Sequence, residues 1–133
     1  MKAALIAAAA LFVAGAAGRA SADPRIDYML QCRGCHGPQG QGTAGAAPSL
    51  RELTPLLVAP GGRAYLVGVP GVSRSELDDA ATAALLNWIV TEFARDGVPA
   101  DFVPFSTVEV SAHRRPPLID PAAVRARVLS QHP

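Results

Sequence analysis

Lysine is almost missing from this 133-residue chain. Lys2 is the only one, and every other basic residue is arginine. With 12 basic and 11 acidic residues in all, no excess of positive charge argues for nucleic acid as a partner. Methionine occurs only at positions 1 and 29, and cysteine only at 32 and 35. After residue 17 no apolar run approaches the ~18–20 residues that a spanning helix needs. Internal repeats are absent. Strand-like alternation is absent too, apart from a faint trace at Thr107–Val110, so a sheet protein is disfavoured.

What the chain does have begins with a leader. Met1-Lys2 is a short positive start, and residues 3–17 are uncharged and apolar. Ala20-Ser21-Ala22 is a small-residue cleavage site, the pattern of a secretory signal peptide over residues 1–22. The alternative, a membrane anchor, is opposed by the short run and the cleavable end. Export leaves residues 23–133, a single domain by length, with ten arginines against eleven acids.

The remainder reads as helices. Asp23-Pro24 supplies an N-cap and a first-turn proline, followed by Ile26, Tyr28 and Leu30, for a helix running to about Cys35. Residues 37–48 form a Gly/Ala/Pro loop. Its G-x-x-G-x-G pattern is not a nucleotide loop, because no strand precedes it. Ser49 caps a short turn through Leu53, residues 56–59 are ambiguous, and "RAYLVG" predicts one or two helical turns. "VPGVSRSE" reads as a loop. Asp78 then caps the strongest helix, about 79–95, with an apolar stripe at Leu85, Ile89 and Phe93 and a stop at Gly97. Ser106-x-x-Glu109 is a capping box for a short helix before Pro116-Pro117. Asp120-Pro121 opens a last helix to about Ser130.

Cys32-Arg33-Gly34-Cys35-His36 is the one dense cluster of ligand-type side chains. C-x-x-C-H is the attachment pattern of c-type haem. Two thiols at this spacing add across the porphyrin vinyl groups, and the adjacent imidazole swings under the ring to bind iron. Three alternatives compete. A thioredoxin-like pair needs a βαβ context that is lacking. A zinc site needs two more ligands, and His113 and His132 are not at finger spacing. A structural disulfide suits an exported chain but gives His36 no role.

On these residues the chain, to about position 95, resembles the class I c-type cytochromes. Tyr28 stands four residues before the first cysteine, where that family carries an aromatic. Leu85 and Trp88 match its late helix, and "CHGPQGQG" with "APSL" matches its loop under the haem. The resemblance implies an all-α bundle around one haem c held through Cys32 and Cys35. His36 is then the proximal iron ligand, the Pro48 carbonyl accepts its other ring N–H, and Trp88 packs beside the haem. Pro24 stands where the family often has a small glycine. Residues 23–95 form the haem domain, and residues 96–133 are a helical extension packed on it.

The family's usual distal methionine is missing. "VGVPGV" places Val69 and Val72 where it would stand. Met29 lies on the His36 side and reads as core. His113 is the leading candidate for a distal ligand, ahead of the near-terminal His132. Arg63 and Tyr65 are candidates for a haem propionate, and Arg114 and Arg115 for the same or for an acidic partner.

The expected function is one-electron transfer in the periplasm, between a dehydrogenase upstream and an oxidase or membrane complex downstream. The chain would then be a carrier rather than an enzyme. Two alternatives stand beside it: an open-site, five-coordinate haem protein that binds a small gas or peroxide, and a haem subunit of a larger oxidoreductase.

Overall fold

The computed structural model describes residues 23–131, so the leader reading (1–22) and His132 lie outside the described residues. The chain is helical, and among the described residues no strand forms; Thr43 and Ala47 make one isolated bridge.

Helix α1 (Pro24–Gln31) opens as its sequence dictates. The Asp23 carboxylate accepts from the Arg25 amide at 3.0 Å, and Pro24 takes the first turn, where no amide is needed. The expected single helix to Cys35 is broken at Cys32 (φ −122°), and α2 (Arg33–His36) follows as one separate turn. Gly37 ends it at φ +76°. The Tyr28 hydroxyl, buried under this corner, donates to the Gly37 carbonyl at 2.5 Å.

Three short helices follow: α3 (Thr54–Val58), α4 (Gly62–Gly68) and α5 (Pro70–Ser73). Of these only α4 matches a helix expected from the sequence. The other two are a single turn or little more, and each has proline in its first turn. So short a segment gives periodicity nothing to register.

Helix α6 (Asp79–Ile89) starts on the Asp78 cap, 2.9 Å from the Ala81 amide. It continues to about the expected end, but not as α-helix. Val90–Ala94 is a π turn, and Arg95–Gly97 a 3₁₀ turn. The wider π turn re-aims the side chains beyond it. Phe93 comes to rest against Gly40, where a Cβ would lie 2.7 Å from the ring. Helices α1 and α6 cross, and Tyr28, Trp88 and Phe93 meet there with ring centroids 5.0–5.5 Å apart.

Helix α7 (Thr107–His113) has the predicted Ser106 cap, and α8 (Pro121–Ser130) the predicted Asp120 cap. The faint alternation at Thr107–Val110 is therefore helical. Helix α7 packs on α6 and α4, and α8 on α4 and α3. Val110 is fully buried, and Phe105 and Val128 nearly so. The segment after residue 95 thus shares one core with the rest. No helix among the described residues is long and apolar enough to cross a membrane.

Candidate functional site

The turn that carries the ligand-type residues is held from both sides. The Gly42 amide donates to the His36 carbonyl at 2.9 Å, and the Thr43 hydroxyl to the Cys35 carbonyl at 2.8 Å. These bonds return the glycine-rich loop beneath α2. Gly42 has φ +77°, and a Cβ on it would stand 2.6 Å from the Ala47 carbonyl oxygen. Only glycine allows this approach, which brings Pro48 to His36.

His36 Nδ1 lies 3.0 Å from the Pro48 carbonyl oxygen. A carbonyl can only accept, so Nδ1 carries the proton and Nε2 keeps its lone pair. Burial pulls the imidazole's pKa below its ordinary value, with the Pro48 bond partly opposing. The outcome is a neutral, oriented ring, as metal ligation requires. Cys32 and Cys35 are free thiols. The Cys32 thiol is pushed up to about 11, first by burial and then by Asp27 and Cys35. It is therefore protonated at neutral pH.

All three side chains border one cavity of about 330 Å³. Its walls are mostly apolar. Leu50, Leu53 and Leu56 come from the loop and α3; Leu66, Val69, Pro70 and Val72 from α4 and α5; Leu86, Ile89 and Val90 from α6 and its π turn; Phe105 and Pro121 from the C-terminal segment. Tyr65 and Arg125 add polar groups, and among the described residues no aspartate or glutamate lines the cavity. These residues fit a covalently attached haem. Two free thiols and an imidazole with its Nε2 available share the rim of an apolar slot, and no acid competes for the ring.

The predicted site residues separate here. Cys32, Cys35, His36 and Pro48 are brought together. Trp88 is not among the residues lining the cavity. It packs on Tyr28 and Phe93 at the helix crossing, while Leu86 and Ile89, two residues before it and one after, turn inward. The family pattern identifies the right helix, but at ~100° per residue position 88 points aside. His113 is exposed at the end of α7 and does not line the cavity, so in this arrangement it is no distal ligand. Val69 and Val72 do line it.

Arg63 is committed elsewhere. Its guanidinium makes two 2.6 Å bonds to Glu109 and one of 2.9 Å to the Val103 carbonyl, and it stacks 4.0 Å over the Phe105 ring. Arg114 is buried against Asp79 and Ser75. Tyr65 does line the cavity. Sequence reasoning misses Arg125, although Pro121, Arg125 and Val128 recur at i, i+4 and i+7, the spacing of one helix face.

No family model matches the chain. A cytochrome c-552 from Thermus thermophilus is 34% identical over 124 residues, covering 79% of this chain and 83% of that protein. A second cytochrome c-552 from the same species is 34% identical over 103 residues, covering 63% of this chain and 79% of that protein.

Proposed function

The chain belongs to the c-type cytochromes, and on that premise we infer that it carries single electrons between partner proteins of the periplasm through one haem c. The observation that carries this reading is the His36 Nδ1–Pro48 contact of 3.0 Å on a ring flanked by two free thiols at one apolar cavity. When bound, the haem supplies a one-electron ferrous/ferric couple.

The chain's residues do the rest. Cys32 and Cys35 anchor the ring as thioethers. His36 presents Nε2 to iron, and the Pro48 carbonyl keeps the proton on Nδ1, which holds the tautomer and strengthens the ligand. The leucine, isoleucine and valine walls exclude water, which favours the less charged reduced form. The class I label, the leader at 1–22, and a dehydrogenase upstream with an oxidase or membrane complex downstream belong to the same proposal. So does the division into a haem domain (23–95) and an extension (96–133).

Expression with a haem-attachment system tests it. The polypeptide retains haem absorbance after denaturation and organic extraction, and the Cys32→Ala/Cys35→Ala variant loses it. Haem that extracts freely from the parent protein would contradict the covalent site.

One observation favours a second reading, an iron open to exogenous ligands. Val69, Pro70 and Val72 stand on the cavity wall, and neither methionine nor a second histidine lines it among the described residues. Carbon monoxide added to the reduced protein separates the two. A rapid, complete spectral shift supports the open site, and an unchanged spectrum supports a six-coordinate carrier.

A further inference from the structure

Arg125 is the one guanidinium that enters the cavity among the described residues, and no carboxylate there answers its charge. Its Nε is buried without a hydrogen-bond partner, and among the described residues none of its nitrogens is bonded. Arg114 also has a buried, unbonded Nε, but its other two nitrogens are held by Asp79 and Ser75. Each nitrogen of Arg63 is already bonded, to Glu109 or to the Val103 carbonyl. Arg125 is half-buried, and withdrawing even one N–H of a guanidinium from water without a partner costs free energy, since buried polar groups are paired with few exceptions. The partner is therefore expected from whatever fills the cavity.

Tyr65, on α4, stands beside Arg125 in the same wall and adds a hydroxyl donor. Both come from the side of the cavity built by α3, α4 and α8, whereas the cysteines come from the corner between α1 and α2, and α1 packs on α6. Haem carries its two carboxylates on the pyrroles away from those that receive the thioethers. A ring anchored at Cys32 and Cys35 would direct its anionic edge away from α1 and α2.

We propose that Arg125, with Tyr65 beside it, is the cavity's anion-binding site, and that helix α8 thereby becomes part of the cofactor site. The anionic oxygen has two chemical sources, a carboxylate of the haem itself or a small anion arriving from solution. A guanidinium fork suits either. The inference rests on the covalent-haem reading above.

The test uses the haem-loaded protein, with Arg127→Gln, an exposed arginine on the same helix, as control. Midpoint potential and ferric azide affinity are measured for wild type, Arg125→Gln, Arg125→Lys and the control. If the haem carboxylate is the partner, Arg125→Gln lowers the potential, because the carboxylate's charge is no longer offset and favours ferric iron. Arg125→Lys then restores much of the shift, and azide affinity is unchanged. If the anion comes from solution, Arg125→Gln weakens azide binding at least tenfold and Arg125→Lys recovers it. Arg125→Met, which keeps the aliphatic stem, replaces Arg125→Gln if that variant does not fold. Haem attached normally, with potential and azide affinity both matching the Arg127→Gln control, would overturn this inference alone. A preparation without covalent haem would overturn the functional reading as well.

Discussion

At the scale of single residues, the site depends on how closely the loop approaches His36. Gly42 makes that approach possible twice over, through its φ of +77° and through the 2.6 Å gap to the Ala47 carbonyl. Gly45 is a natural control, since it has φ +75° but nothing within 4 Å of a Cβ. Gly45→Ala is expected to cost about 1–2 kcal/mol, the left-handed backbone penalty alone. Gly42→Ala costs more, because Ala47 and Pro48 must also move, and it lengthens the His36–Pro48 contact. Urea unfolding of the haem-loaded variants measures the difference; equal losses would show that the close approach carries no weight. The ligand cluster was legible in the sequence because C-x-x-C-H is local, and its chemistry dictates its spacing. The placement of Trp88 and Arg125 was not legible. Whether a helical side chain faces a cavity is decided by helix phase and by neighbours far away in the chain.

At the scale of elements, polar contacts latch the C-terminal segment to the rest, and two of them are open to direct test. Arg63 clamps Glu109 in α7, and Asn87 in α6 exchanges hydrogen bonds of 2.7 and 3.0 Å with the Phe105 backbone. The hydrogen bond from Arg63 holds the Glu109 carboxyl below the ordinary carboxylate range. A depressed carboxylate contributes stability that is present above its unfolded pKa and lost as pH falls through its folded value. Glu109→Gln is therefore expected to cost about 1–2 kcal/mol at neutral pH, the pair being partly exposed. The urea midpoints of parent and variant should converge as pH drops below the carboxylate range; a constant gap would contradict the ion-pair account. Asn87→Ala is expected to lose about 1–3 kcal/mol by leaving the Phe105 amide and carbonyl without their partner, readable as a lower thermal midpoint. The helix caps at Asp23, Asp78, Ser106 and Asp120 were legible because capping is a short-range pattern. The π turn at 90–94 and the short helices α3 and α5 were not, because tertiary packing sets them rather than periodicity.

At the scale of the whole molecule, the leucine-rich wall, the α6 wall and the C-terminal segment enclose one slot with two thiols and an imidazole at its rim. Phe105, Pro121 and Arg125 line that slot, so the segment after residue 95 shapes the cofactor's surroundings as well as the core. An all-α bundle was legible from the helix signals. The enclosure of the slot by the segment after 95 was not, because contacts so distant in sequence leave no local trace. The central claim is that this slot holds one covalent haem working as a one-electron couple. An optical redox titration of the haem-loaded protein tests it most directly. The account predicts a single reversible wave that fits one electron per polypeptide, with the oxidised and reduced spectra interconverting through shared isosbestic points. A chain that shows no haem absorbance to titrate, or one that fails to return to its starting spectrum through a one-electron wave, would contradict it.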